Sequence, residues 1–378
     1  MRYILAGFAV LMLASCGAPT PRKAVLDAMV SDCAVVSAPR ASTEKPALYF
    51  VSTALPDCRH SDITFTKSRW KKPVFGRSVI VGGEISTRKI EHQTRLQDRE
   101  PWLAALVEDA KAAGGLIVFI HGFNNSYEDA LSRAELVRRS YETSRPVLVV
   151  VWPSRQKVAG YIYDEASAAW SQSIANDTLA ELASEKDVGD IAVVAHSMGS
   201  RIAIGMVEHL NDADAANAAK VGHVALIAPD VDRHSVLRSG GAIDALLRHD
   251  RDVVVYTSQR DWPIRTSRML HGYSRLGSSD CRYSVDYDRR ADGRYGKCHR
   301  IDVNGRERLR IVETTFARGD SILKHADVFD SCVGRADLKA FLLGHGDPAW
   351  RKLEEDRGDS LTGWYLDPAT YRELNGEC

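Results

Sequence analysis

The sequence predicts an α/β fold: a mainly parallel central sheet with helices on both faces. Two observations carry this. Leu116-Ile-Val-Phe-Ile120 and the other strand candidates after it are short, nearly continuous apolar runs, the pattern of strands buried on both faces. They alternate with stretches of helical apolar spacing, which is how parallel strands are connected. A third observation bounds the answer. At 378 residues, 44% hydrophobic and 26% charged, the chain suits one large globular unit.

Taken in order, Ala47–Ser52 and Ser78–Gly82 read as strands, with basic loop material between them. Trp102–Ala113 has helical spacing and ends at Gly114-Gly115. After strand 116–120 come helix Ser126–Tyr141, strand Pro146–Trp152, helix Ala166–Glu185 and strand Ile191–Ala195. Helix Ser200–Leu210, strand His223–Ala228, helix Ser235–Leu247 and strand Asp252–Ser258 complete the alternation. Asp164 and Glu165 read as caps of the third helix. Asn304-Gly305, between 299–303 and 308–316, is a hairpin signal, and a last helix is expected over 336–343. The main domain is expected over 46–350, with a C-terminal tail over 351–378.

Two strand ends carry chemistry. Ala195-His-Ser197-Met-Gly199 runs from a strand straight into a helix, the setting of a nucleophile elbow. Such a turn strains the serine backbone, so the residues two before and two after must be small; Ala195 stands where the strict pattern has Gly. The helix that follows aims free N–H groups at developing negative charge. The alternative is a small-residue turn whose serine caps a helix. The second strand end, His121-Gly-Phe-Asn-Asn125, follows the strand ending at Ile120. A His-Gly turn there supplies one oxyanion-hole N–H and the residue after the serine the other. The donors are then the backbone amides of Phe123 and Met198, with His121 orienting the loop. Together the two motifs, in this order, specify the α/β-hydrolase fold.

Phe-Ile-His-Gly-Phe-Asn-Asn (119–125), Val-Trp-Pro-Ser-Arg (151–155), Gly-Tyr-Ile-Tyr-Asp-Glu-Ala-Ser-Ala (160–168) and Ala-His-Ser-Met-Gly-Ser-Arg (195–201) resemble a bacterial α/β-hydrolase family of esterases or lipases without a defined function. The resemblance spans roughly residues 45–345. It implies a fold and a nucleophile, Ser197, and no particular substrate.

A serine nucleophile needs an acid and a histidine after it in the chain. Asp261 lies just beyond strand 252–258, and sequences of the resembling family also carry an Asp there. Asp230 and Asp232, one strand earlier, are the competing acids. His325 is the first histidine beyond the final strand and precedes the final helix. His345 lies at the far end of that helix, and His299 comes before the last strand. The site read from sequence is therefore Ser197, Asp261 and His325. The expected chemistry is hydrolysis of a carboxylic ester through an acyl-enzyme, with no metal or organic cofactor required. Amides and thioesters are not separable from esters at this level. The competing class is a non-catalytic envelope lipoprotein that uses the fold for binding. Trp152, Tyr161, Tyr163, Trp170 and Trp262 are candidates for an apolar acyl pocket or for ordinary packing.

The remaining expectations concern location. Arg2, the apolar run Ile4–Leu13 and small residues before Cys16 describe a signal peptide over 1–15, too short to span a bilayer. Leu13-Ala-Ser-Cys16 resembles the bacterial lipobox, which implies a lipid on the Cys16 thiol. Gly17 in the next position implies the outer membrane, facing the periplasm, with 16–45 as a tether. Six further cysteines suggest disulfides, by locality Cys33–Cys58, Cys281–Cys298 and Cys332–Cys378. Cys298 beside His299 is poor spacing for zinc. Lys+Arg and Asp+Glu both number 50, so bulk charge gives no reason to expect a nucleic-acid partner. The expected partners are a small-molecule or lipid ester and a membrane reached through the anchor.

Overall fold

The computed structural model describes residues 23–36, 47–59, 62–82, 91–141, 144–280, 287–289, 295–298, 305–317, 325–353 and 363–376. The strands are β1 (Val35–Val36), β2 (Ala47–Asp57), β3 (Thr64–Gly82), β4 (Glu91–Gln97), β5 (Gly115–Ile120), β6 (Val147–Val151) and β7 (Asp190–His196). They continue with β8 (Val221–Ile227), β9 (Asp252–Thr257), β10 (Tyr287–Arg289), β11 (Tyr295–Cys298), β12 (Leu309–Glu313), β13 (Arg351–Leu353) and β14 (Trp364–Leu366). The main helices are α1 (Lys23–Ser31), α2 (Arg99–Ala113), α3 (Tyr127–Tyr141), α4 (Tyr161–Ser184), α5 (Gly199–Ala213), α6 (Trp262–His271), α7 (Cys332–Leu342) and α8 (Pro368–Asn375).

Among the described residues one sheet has the order β1-β4-β3-β2-β6-β5-β7-β8-β9-β12-β14-β13. From β2 through β14 each neighbour pair is parallel, and the antiparallel pairs fall toward the two edges. The apolar runs explain the layering. Alternate residues of each central strand face opposite sides: Leu116, Val118 and Ile120 pack under α2, α4 and α5, while Ile117 and Phe119 pack under α3 and α7. The chain steps from β5 to β6 on one side, then returns to β7 on the other. Such a reversal opens a crevice at the carboxyl edge of the sheet. No helix of the described residues is long and apolar enough to cross a membrane.

Several expectations shift. The basic segment expected as loop is the first half of β3, a half-exposed strand antiparallel to β2. Helix 235–247 is two short turns, Arg233–Leu237 and Ala242–Leu246, broken at Gly240 (φ 70°) and Gly241. A side chain on Gly241 would meet Ser235 O at 2.7 Å, so only glycine fits where the chain folds back this closely. β12 sits as a parallel strand between β9 and β14; 299–303, including His299, lies outside the described residues. Residues 351–353 and 364–376, expected as a tail, add β13, β14 and α8. Arg351 anchors them with a bidentate pair to buried Asp337, whose carboxylate also accepts from Tyr256 of β9.

Part of the expected tether is structured: β1 pairs with β4, and Cys33 is disulfide-bonded to Cys58. Cys332 is also disulfide-bonded. Cys378, its expected partner, Cys281 and Cys16 lie outside the described residues.

Candidate active site

Because β5, β7, β9 and β12 run parallel, the residues that follow them meet at one edge. Ser197 follows β7 directly. Its φ is 52°, a left-handed conformation that a serine adopts at a cost of about 1–3 kcal/mol. The surroundings impose it: Ser197 N–H donates to Ile227 O of β8 at 2.8 Å, and α5 starts two residues later. Glycines on both sides make room. A side chain on Gly199 would press on Ile120 O at 2.8 Å, and one on Gly122 would reach Ser197 Cβ at 2.8 Å and His196 O at 3.0 Å.

The β5 end is shaped by His121, which is stacked on Trp152 at 4.8 Å with ring planes 6° apart. Trp152 N–H donates to His121 Nε2 at 3.1 Å, and His121 Nδ1 lies 3.0 Å from Gly122 O. Those partners assign the proton to Nδ1. Burial pushes the His121 pKa down to about 4, so the ring stays neutral and acts as a brace for the loop. The amides of Phe123 and Met198 donate to no protein acceptor among the described residues. For Met198, which is fully buried, an idle amide is unusual.

Asp261 follows β9 and is 1% exposed. Oδ1 caps α6 by accepting from Ile264 N–H at 2.9 Å, and Oδ2 accepts from His325 Nδ1 at 2.7 Å. Burial pushes its carboxyl above the usual range, against the opposing pull of His325. Ser197 and His325 line one cavity of about 350 Å³ together with Phe123, Tyr161 and Trp262. No hydrogen bond joins Ser197 Oγ to His325 among the described residues; such contacts commonly tighten only when substrate binds.

The competing acids are otherwise engaged. Asp230 accepts from Tyr161 OH and from Ser267 Oγ at 2.5 Å, and is ion-paired with Arg275, whose Nε lies 3.0 Å from Oδ1 while donating to Ser267 Oγ. Asp232 caps a helical turn through Ser235 N–H at 2.9 Å. His345 is exposed at the end of α7. Of the aromatic candidates, Tyr161 and Trp262 line the cavity, whereas Trp152 packs on His121, and Tyr163 and Trp170 face Arg69. Asp164 is not a cap: it lies inside the first turn of α4 and accepts from Arg155 N–H at 2.6 Å and Ser154 Oγ at 2.5 Å.

His196 is a neighbour of His325 to which the sequence motifs give no role. It is buried, its ring lies 4.7 Å from that of His325, and its Nε2 lies 3.0 Å from His325 O. Since a carbonyl only accepts, Nε2 carries the proton, and burial holds the His196 pKa well below the usual value. Its position directly before Ser197 was the available signal.

A parallel sheet whose carboxyl edge brings a strained serine, a histidine and an aspartate around one crevice has the α/β-hydrolase architecture. The chain belongs to the family described as "Alpha/beta hydrolase of unknown function (DUF900)", whose model matches residues 97–324. Among solved structures, acetyl xylan esterase 1 from Thermoanaerobacterium sp. JW/SL YS485 is similar at 11% identity, over 71% of this chain and 89% of that one. The TM-score is 0.29, a likeness that carries no argument about activity. No curated protein is significantly similar to the chain.

Proposed function

We propose that this hydrolase is a serine esterase acting through an acyl-enzyme on Ser197. The observation that carries the reading is the His325–Asp261 contact of 2.7 Å beside a cavity that Ser197 shares. With Nδ1 committed to Asp261, the free ring nitrogen of His325, Nε2, takes the Ser197 proton as the hydroxyl attacks the acyl carbonyl. The idle amides of Phe123 and Met198 bind the oxyanion, and the alcohol leaves with the proton from His325. Water, activated by the same ring, then releases the acid. Asp261 holds the imidazole and stabilises its charged form. A lipid anchor on Cys16 at the cell envelope belongs to the same proposal and rests on the sequence Leu13-Ala14-Ser15-Cys16.

The test is hydrolysis of short p-nitrophenyl esters. Ser197→Ala should cost roughly 10⁴-fold or more in turnover with the fold intact, because one hydroxyl contributes little packing. Retained activity in the folded variant would refute the nucleophile.

A further inference from the structure

The rim of the Ser197 cavity departs from the rest of the surface. Six of the fourteen large apolar side chains exposed among the described residues sit on two short segments: Val158, Ile162, Trp262, Met269, Leu270 and Tyr273, each between 46% and 78% exposed. Scattered exposed apolar residues need no explanation, but a cluster rimmed by polar groups does. Val158, Trp262 and Leu270 also line the cavity, so the cluster is its mouth. Ile162 follows Val158 by one helical turn, and Met269 follows Trp262 by two turns of α6. The two segments are packed side by side, with Tyr161 OH 3.0 Å from Ser267 Oγ and the Tyr161 and His271 rings 5.5 Å apart.

Charge decides what this mouth meets. The chain as a whole is neutral, yet residues 153–163 carry Arg155 and Lys157 with no acid. Residues 260–273 carry Arg260, Arg265 and Arg268, and their single acid is Asp261, buried behind the rim. Lys157 and Arg260 are exposed, and the Arg265 guanidinium lies 5.7 Å from the centre of the Trp262 ring. Nearby carboxylates are occupied: buried Asp164 by Ser154 and the Arg155 amide, Glu165 by Arg201 and Asp230 by Arg275, and Asp330, which also lines the cavity, is partnered too. An exposed tryptophan among aliphatic side chains, with basic residues beside them, matches the interface of an anionic bilayer. A protein partner would be served by the apolar cluster but gives no reason for the one-signed charge.

We propose that this mouth docks on an anionic lipid surface, so that the ester reaching Ser197 is drawn from a lipid assembly. The docking rests on the rim alone; the choice of substrate rests on the esterase reading above.

The test is sedimentation of the full chain carrying Cys16→Ser, which removes any anchor, with phosphatidylcholine vesicles with and without phosphatidylglycerol. Each basic residue near an anionic surface changes binding about fivefold. The chain should therefore favour the anionic vesicles by roughly tenfold or more, and added salt should weaken the binding. Lys157→Glu with Arg260→Glu should lose that preference. Ile162→Ser with Met269→Ser, both outside the cavity lining, should lower binding roughly tenfold. Neither pair should change p-nitrophenyl acetate hydrolysis or the circular dichroism spectrum. No binding to anionic vesicles, equal binding to both kinds, or binding unaltered by both variant pairs would overturn the proposal. Vesicle binding by a chain inert toward p-nitrophenyl acetate would refute the esterase reading and leave the docking standing.

Discussion

Asp261 holds His325 with one carboxylate oxygen while the other caps the helix that forms one wall of the cavity. The contacts are 2.7 Å to His325 Nδ1 and 2.9 Å to Ile264 N–H. One buried side chain thus couples the orientation of the proposed base to the position of the pocket wall. A capping residue so placed cannot be replaced by another acid elsewhere in the loop.

Asp261→Asn should therefore lower esterase turnover by roughly 10³- to 10⁴-fold, since an amide can neither select the same imidazole tautomer nor stabilise its charge. Asp230→Asn should act differently. It disrupts a buried pair with Arg275, at a cost of about 3–5 kcal/mol, while leaving His325 with its acid. Parallel measurements of turnover and Tm separate the two. A large turnover loss in Asp230→Asn, with Asp261→Asn near neutral, would move the acid one strand earlier.

Gly122→Ala tests the loop that carries the Phe123 amide. The new methyl would lie 2.8 Å from Ser197 Cβ and 2.9 Å from His196 Nδ1, so the loop must shift. Overpacking of this kind costs about 1–3 kcal/mol in stability. Loss of one aligned oxyanion donor lowers turnover by roughly 10²- to 10³-fold, with a smaller effect on KM. Steady-state kinetics at a temperature where the variant remains folded check this; wild-type turnover would remove Phe123 from the mechanism.

How much of this was legible in the sequence depends on what each residue's neighbours are. The central strands were plain because burial on both faces demands continuous apolar runs, as in 116–120 and 191–195. Ser197 was plain because its turn demands small residues two positions away on either side. The first half of β3 was not, because an edge-side strand with half-exposed positions tolerates Lys67, Lys71 and Lys72, which read as loop. Asp164 was misread because its partners, Ser154, Arg155 and Asn124, precede it by 9 to 40 residues. Capping signals look only at the next turn. Chain order singles out His325 as the candidate base, but its backbone contact with His196 spans 129 residues and no local pattern reports it.

Acid should destabilise the fold in a defined window. His121 titrates near pH 6.5 when unfolded and at about 4 when folded, so the unfolded chain binds the extra proton first. The stability from keeping this ring neutral is fully present above about pH 6.5 and is lost as pH falls toward about 4. The loss approaches about 3 kcal/mol, and His196, depressed in the same direction by burial, adds to it. Thermal denaturation should show Tm lower by roughly 5–10 °C near pH 4 than near pH 7. An unchanged Tm would mean that these rings are not held neutral.

An activated nucleophile at Ser197 should be open to covalent capture. Intact-mass spectrometry after exposure to a fluorophosphonate should show a single adduct, mapped to Ser197 by peptide fragmentation. Labelling should be abolished in Ser197→Ala and slowed strongly in His325→Ala, because the hydroxyl needs its base to attack phosphorus. A folded wild-type chain that takes no label, or takes it on another residue, would remove Ser197 as the nucleophile.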